Sequence, residues 1–203
     1  MCIRDRRYPK VQVVLHQGMP EQVAQMLLDD VAEIGLATEA LGAHPGLITL
    51  PCYEWQHVLV VPAGHSLAGV ERPTLEQLAA YTLVLYHRTV TGRTRIDEAF
   101  SRARLEPVVA LEAIDSDVIK TYVRLGLGVG IVAEQAMSGE PADADLAWRP
   151  LGHLFGANVA RLAFKRGAYL RQFVQAFAEL LSPRLSPPLL AQAMGDLGSD
   201  YQL

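Results

Sequence analysis

Short apolar runs alternate with stretches of helical periodicity along the chain, and this alternation predicts an α/β fold. The β-branched stretch 11–15 predicts a buried strand. Pro20 then opens a helix, at a position that tolerates proline because the first amides of a helix have no partner within it. A second strand is predicted at 34–37. Strand, helix and strand in this order are typical of a βαβ unit with a parallel sheet.

A second series begins after the predicted strand 58–61, which Pro62 ends. Further strands are predicted at 83–86, 108–111, 130–133 and 159–164, and helices at 75–80, 93–103 and 118–125. A last helix is predicted from an apolar stripe that Pro183 ends, made of Leu170, Phe173, Val174, Phe177, Leu180 and Leu181. The tail 187–203 is weakly patterned, and we expect it to fray.

The two series predict two lobes. We place the first lobe at 7–62 and 164–203 and the second at 63–163, because the strand near Phe164 returns the chain to the first lobe. Two lobes leave a cleft in which a small ligand can be enclosed. Residues 1–6 show no capping or periodic pattern, and we interpret them as a non-native segment.

Composition removes several classes of function. No apolar run approaches the roughly 18 residues that cross a bilayer, so no membrane partner is expected. The charged start does not have the pattern of a signal peptide, and Cys2 and Cys52 cannot form a disulfide framework, so we expect a cytoplasmic protein. The formal net charge of −4 is unlike that of a free-standing nucleic-acid binder.

The patterns of catalysis are also missing from the sequence. The six histidines show no metal-ligand spacing, and no G-x-S-x-G run occurs. Cys52 is predicted to be a buried structural thiol. The glycines in 126–130 have the wrong spacing and order for dinucleotide binding, and we predict that they end a helix and start a strand. Asp115 and Asp117 are predicted to cap a helix. We expect neither an enzyme nor a cofactor or metal site.

Three positions at the carboxyl ends of predicted strands could hold a ligand. Thr91 and Gly92 stand where a helix begins, and free amides at a helix N-terminus favour an anion. Thr38 follows the strand 34–37, at the end where open α/β sheets bind ligands. Gln17 follows the stretch 11–15 and could donate to a ligand. The alternatives stay open: Thr91 as an N-cap of its own helix, Thr38 as a surface residue, and a simple turn at 17–18.

Several stretches of the chain resemble LysR-type transcription regulators of the CysB-like branch. The longest is DSDVIKTYVRLGLGVG at 115–130. It is joined by RYPKV at 7–11 with HQG at 16–18, by IGLATEAL at 34–41, by LPCYEW at 50–55, and by FKR at 164–166. The resemblance covers about residues 7–183, nearly the whole chain.

The resemblance implies a fold, a ligand class and partners. It implies a two-lobed, type 2 periplasmic-binding-protein-like domain that senses a small anion such as sulfate or an acetylserine compound. In CysB-like proteins, threonine hydroxyls from both lobes bind the anion, and the matching positions are Thr38 and Thr91. It further implies a homodimer or homotetramer that binds DNA only through an N-terminal winged helix-turn-helix, which is missing here. The family's first strand and following helix, which supply further Thr and Gln ligands, would also lie upstream of Arg7. Met19 replaces the small polar residue usual in CysB-like proteins, and residues 87–88 are more charged than their counterparts there. These differences leave the identity of the effector undecided.

Two other classes of protein are weighed beside a sensor. A solute-binding protein for sulfate or a related anion would share the architecture and is the alternative. An enzyme acting on sulfur metabolites would need a nucleophile or metal set that the sequence does not offer.

Overall fold

A computed structural model of the protein describes residues 8, 10–37, 44–90, 92–137 and 143–195. The chain forms two compact units: unit 1 is Met1–Tyr53 with Val159–Leu203, and unit 2 is Glu54–Asn158. Both boundaries fall inside long strands, whereas the sequence analysis places them at 62–63 and 163–164. A strand that continues from one unit into the other has the same residue preferences on both sides of the boundary, so the local sequence does not show where the boundary lies.

The described residues contain seven labelled helices and seven strands. The helices are α1 (Pro20–Leu28), α2 (Leu75–Ala79), α3 (Arg93–Arg102), α4 (Ser116–Arg124), α5 (Gly152–Phe155), α6 (Gln172–Leu181) and α7 (Pro187–Gly195). The strands are β1 (Gly35–Ala37), β2 (Leu47–Pro62), β3 (Leu83–Tyr86), β4 (Val109–Ala113), β5 (Val129–Ala133), β6 (Leu146–Pro150) and β7 (Ala157–Lys165). Single 3₁₀ turns lie at Ser66–Gly69 and Glu134–Ala136.

Unit 1 is built on a small sheet in which β7 lies between β1 and β2. β1 runs antiparallel to β7, with Gly35 opposite Ala163. Helix α6 packs its apolar stripe on this sheet, and its Val174 and Ala178 are buried there. The core of unit 1 is formed by Leu27, Leu47, Cys52, Leu162, Ala163, Phe164, Leu170, Val174, Ala178, Leu185 and Leu190.

The strand predicted at 11–15 is wrong. Residues 11–19 have no regular structure, and Val14 and Leu15 are 75% and 73% exposed. A strand needs a neighbouring backbone to take its hydrogen bonds, and no described strand pairs with this stretch. The parallel βαβ unit predicted for the first lobe is therefore absent from the described residues. The stretch instead lines an apolar groove together with α1 and α6.

The tail also differs from its prediction. Residues 187–195 form α7, which is anchored by the buried Leu190, and residues 196–203 lie outside the described residues. Two proline residues at 187–188 suit the first turn of a helix, where no amide partner is lost. The apolar periodicity of α7 is weak because Leu190 is its one buried residue, and so the sequence did not indicate a helix here.

Unit 2 contains the larger sheet, and this sheet is mixed. β3 runs parallel to β4 and to β5, whereas β2 runs antiparallel to β5 and β6. The fold class is α/β as predicted, and parallel pairing joins β3 to β4 and to β5. The sequence analysis missed β6, α5 and the first half of β2, which have no simple alternation of apolar and polar residues.

The turn between α4 and β5 confirms the structural interpretation of its glycines. Gly126 ends α4 with φ of +77°, a conformation that favours glycine. A Cβ on Gly128 would lie 2.2 Å from the carbonyl oxygen of Thr82. At the other end of α4, the Asp115 carboxylate accepts a bond from the Asp117 amide at 2.7 Å, which is the predicted N-cap.

Candidate anion-binding site

The structure describes two of the four predicted site residues. Gly92 is the N-cap of α3 in unit 2, with φ of +87°. Gln17 is exposed and irregular, in unit 1. Thr38 and Thr91 lie outside the described residues. The geometry of the site can therefore be built around Gly92.

The loop from β3 to α3 is closed by its own backbone. The amide of Val90 donates to the carbonyl of His87 at 2.9 Å, and the amide of Arg93 donates to the carbonyl of Val90 at 3.3 Å. Gly92 completes this turn in the left-handed region, which an L side chain rarely adopts. These bonds fix the backbone that leads into α3.

Arg93 fixes the first turn of α3 to the sheet. Its side chain is 1% exposed. The guanidinium donates to the carbonyl of Tyr86 at the end of β3, to Glu112 Oε1 on β4 at 2.9 Å, and to Asp97 Oδ1 at 2.8 Å. Two carboxylates therefore compensate the buried positive charge, and the helix start is held rigidly.

The N-terminus of α3 has no negative group of its own. Gly92 offers no side chain to cap the helix, and the first turn contains no acidic residue. The first amides of a helix have no partner within it, and the helix dipole adds partial positive charge at that end. These free amides and the dipole favour an anion at this end of α3.

His57 lies under this helix start. It is on β2 with 0% exposure, and it shares one face of the strand with Trp55. A Cβ placed on Gly92 would lie 2.9 Å from His57 Nε2 and 2.9 Å from Trp55 Cη2. The His57 ring makes edge contacts with Trp55 and Phe155, at centroid distances of 4.9 and 5.7 Å. Gly92 therefore sits directly on the two rings.

The His57 ring is neutral at pH 7. Burial lowers its pKa from the usual 6.5 to about 4, and the positive charge of Arg95 lowers it further in the same direction. The Asn158 amide nitrogen lies 3.5 Å from Nδ1. Since that nitrogen is a donor, Nδ1 accepts and the ring proton is on Nε2. Nε2 has no hydrogen-bond partner among the described residues.

The sequence analysis missed His57. The signal that could have found it is the register of β2, in which positions 55, 57, 59 and 61 point to one face. Leu59 and Val61 are fully buried on that face, so a histidine two residues before them is a buried polar group. Buried polar groups without an obvious partner mark functional sites more often than surface histidines do.

The remaining chemistry of the described residues is sparse. Cys52 is 3% exposed, and burial raises the pKa of its thiol, which fits the predicted structural role. No group of three or more potential metal ligands is clustered among the described residues. None of the described helices is long and apolar enough to cross a membrane.

In a mixed α/β domain, a helix start beside the end of a strand is a common place for a small ligand to bind. The chain belongs to the LysR substrate binding domain family, whose model matches residues 5–186. This confirms the resemblance drawn from the sequence and the periplasmic-binding-protein-like fold that it implied.

The curated relatives are transcription regulators. The chain is 48% identical over 198 residues to the HTH-type transcriptional regulator CysB of Burkholderia cenocepacia, covering 98% of this chain and 63% of the relative. It is 45% identical to SsuR of the same organism, covering 91% of this chain and 59% of the relative. The chain thus spans less than two thirds of these relatives. Such relatives favour a regulator over the alternative solute-binding protein and over an enzyme.

A solved structure agrees with these relatives. The cofactor-binding domain of the Cbl transcriptional regulator matches with a TM-score of 0.87 and 41% identity, covering 95% of this chain and 84% of that one. The regulatory domain of CcmR from Synechocystis matches with a TM-score of 0.76 at 18% identity, covering 92% of this chain and 89% of that one, which shows the fold alone. The chain is therefore an effector-binding domain of the LysR type.

Proposed function

We propose that this domain senses a small oxyanion, sulfate or an acetylserine-type compound, for a regulator of sulfur assimilation and cysteine biosynthesis genes. The sulfur assignment is supported by the relatives CysB, SsuR and Cbl and by the CysB-like runs in the sequence. Occupancy of the site shifts the regulator between conformations, which changes how it activates transcription.

The observation that carries this proposal is the start of α3. The buried Arg93 holds this turn, the first turn of the helix contains no acidic residue, and Gly92 has no side chain that could cap the helix. Such a terminus binds anions through backbone donors and the helix dipole, without a buried charge of its own. We propose that Thr91, directly before Gly92, adds a hydroxyl donor, and that Thr38 and Gln17 are further contacts of the effector.

The whole protein is proposed to act on DNA through a region outside this chain. The matched part makes up 63% and 59% of these two relatives, whose names state a helix-turn-helix. We propose that a winged helix-turn-helix precedes these residues, that residues 1–6 are not part of the native sequence, and that the protein assembles as a homodimer or homotetramer in the cytoplasm. The charge of −4 fits a chain that senses while another part binds DNA.

Calorimetric titration with sodium sulfate tests the effector site. The protein is the product of the native gene, compared with its Thr91→Val variant, which keeps the shape of the side chain and removes the hydroxyl. We expect sulfate to bind the unsubstituted protein and the variant to bind more weakly by about 1–3 kcal/mol, because a ligand oxygen loses its donor. This corresponds to roughly 5–150-fold in affinity.

The matched control is Thr121→Val. Thr121 lies on α4, where its hydroxyl donates to the Asp117 carbonyl of its own helix at 2.8 Å. Its loss should leave sulfate affinity unchanged. Equal affinity of the Thr91→Val variant and the unsubstituted protein would place the site elsewhere, and O-acetylserine is titrated in parallel to rank the two proposed effectors.

A further inference from the structure

His57 is a fully buried donor that no described residue satisfies. Its Nε2 carries the ring proton, because Nδ1 faces the Asn158 amide nitrogen at 3.5 Å, and Nε2 has no hydrogen-bond partner among the described residues. A buried donor without an acceptor costs the full loss of its hydration. Folded proteins keep few such groups, and those they keep call for a ligand or a function.

The direction of Nε2 leads to the proposed effector site. The nearest point on the α3 turn is Gly92, where a Cβ would come within 2.9 Å of Nε2. Any side chain at this position would overlap the ring, so only glycine lets the α3 turn lie this close to Nε2. The Nε2 donor on β2 and the start of α3 therefore meet at Gly92.

The geometry points to His57 as a further recognition residue of the effector site, a neutral N–H donor that bonds to an oxygen of the bound anion. This inference rests on the proposed anion site at the start of α3. Gly92 covers Nε2 in the described structure, so a bond from Nε2 to the anion requires the peptide at Gly92 to shift while the Arg93 side chain stays bound to the sheet. A glycine with positive φ gives this turn the conformational freedom to do so.

A neutral donor suits a site for a small oxyanion. It adds a directional hydrogen bond to the backbone donors of α3 without introducing a buried charge that would need its own counter-ion. The rings of Trp55 and Phe155 hold the imidazole edge-on, so its N–H is aimed before the ligand arrives. The bound ligand gives the unpaired Nε2 donor an acceptor, so binding also removes the energetic cost of burying that donor without a partner.

The test compares His57→Phe with the unsubstituted product of the native gene. Phenylalanine keeps a ring between Trp55 and Phe155 and removes both nitrogens. We expect sulfate affinity in calorimetry to fall about tenfold, because a bond to a charged ligand is lost. The melting temperature without ligand is measured on both proteins to show that the variant folds, since the change removes the unpaired Nε2 donor and also the Nδ1 acceptor of Asn158. A merely structural histidine would leave sulfate affinity unchanged in the folded variant.

His65→Phe is the control. His65 makes its bond in the free protein, where Nδ1 accepts from the Leu67 amide at 3.2 Å, so this variant should lose stability and keep its sulfate affinity. If the unsubstituted protein binds sulfate and His57→Phe binds it equally well, the inference about His57 is wrong and the anion site stands. If the unsubstituted protein binds neither sulfate nor O-acetylserine, the proposed function itself fails.

Discussion

Replacing Gly92 by alanine should destabilise unit 2 for two separable reasons. The backbone at Gly92 has φ of +87°, and an L residue in the left-handed region costs roughly 1–2 kcal/mol. The new Cβ would also come within 2.9 Å of His57 Nε2 and Trp55 Cη2, and forcing such an overlap into a packed core costs about 1–3 kcal/mol. The two effects together predict a loss of about 2–5 kcal/mol in the free energy of unfolding.

Gly126→Ala separates the two effects. Gly126 has φ of +77°, and nothing lies within 4 Å of the position its Cβ would take. This variant should therefore lose only the backbone contribution, about 1–2 kcal/mol. The difference between the two variants, about 1–3 kcal/mol, measures the contact of position 92 with the rings beneath it.

Urea unfolding of the 203-residue chain, followed by tryptophan fluorescence, is the assay. The two tryptophans, Trp55 and Trp148, both belong to unit 2, so the signal reports the unit that contains both substitutions. Fluorescence midpoints are converted to free energies with the slope of each transition. An equal or smaller loss for Gly92→Ala than for Gly126→Ala would refute the close packing of Gly92 on His57.

Two further predictions concern protonation and DNA. The pKa of His57 is about 4 in the folded chain and 6.5 in the unfolded chain, so the unfolded chain takes up the proton first as the pH falls. Between pH 6.5 and pH 4, the free energy of unfolding should therefore fall by about 3 kcal/mol more in the unsubstituted chain than in His57→Phe. Parallel urea series at each pH measure this, and identical pH profiles would contradict it. The 203-residue chain should not retard promoter DNA in electrophoresis at any salt concentration, whereas the product of the native gene should bind with an affinity that falls with salt, and retardation by the chain alone would count against a separate DNA-binding region.

Elements with strong local patterns could be predicted from the sequence. The apolar runs of β3 and β5 and the stripe of α6 correspond to strands and a helix within a few residues, because each buries its pattern against its own unit. The stretch 11–15 has an equally strong pattern and is not a strand. Its composition favours extended backbone, but pairing depends on a neighbour that no sequence window contains.

The candidate site divides in the same way. Gly92 was predictable, because glycine between a strand and a helix start indicates a turn and a free helix terminus. For His57, the register of β2 indicates only a buried histidine, because its contact with the α3 turn joins positions 57 and 92, which are distant along the chain. The lack of a partner for Nε2 is likewise visible only once Asn158 and the rings are in place.

The binding of an oxyanion at the start of α3 is tested most directly by a crystal structure of the product of the native gene with sodium selenate, an isostere of sulfate whose selenium is located by anomalous scattering. We predict a selenium peak beside Gly92 and Arg93, with selenate oxygens about 3 Å from the first amides of α3 and from His57 Nε2. A selenium peak elsewhere in the domain, with none at the start of α3, would contradict the account.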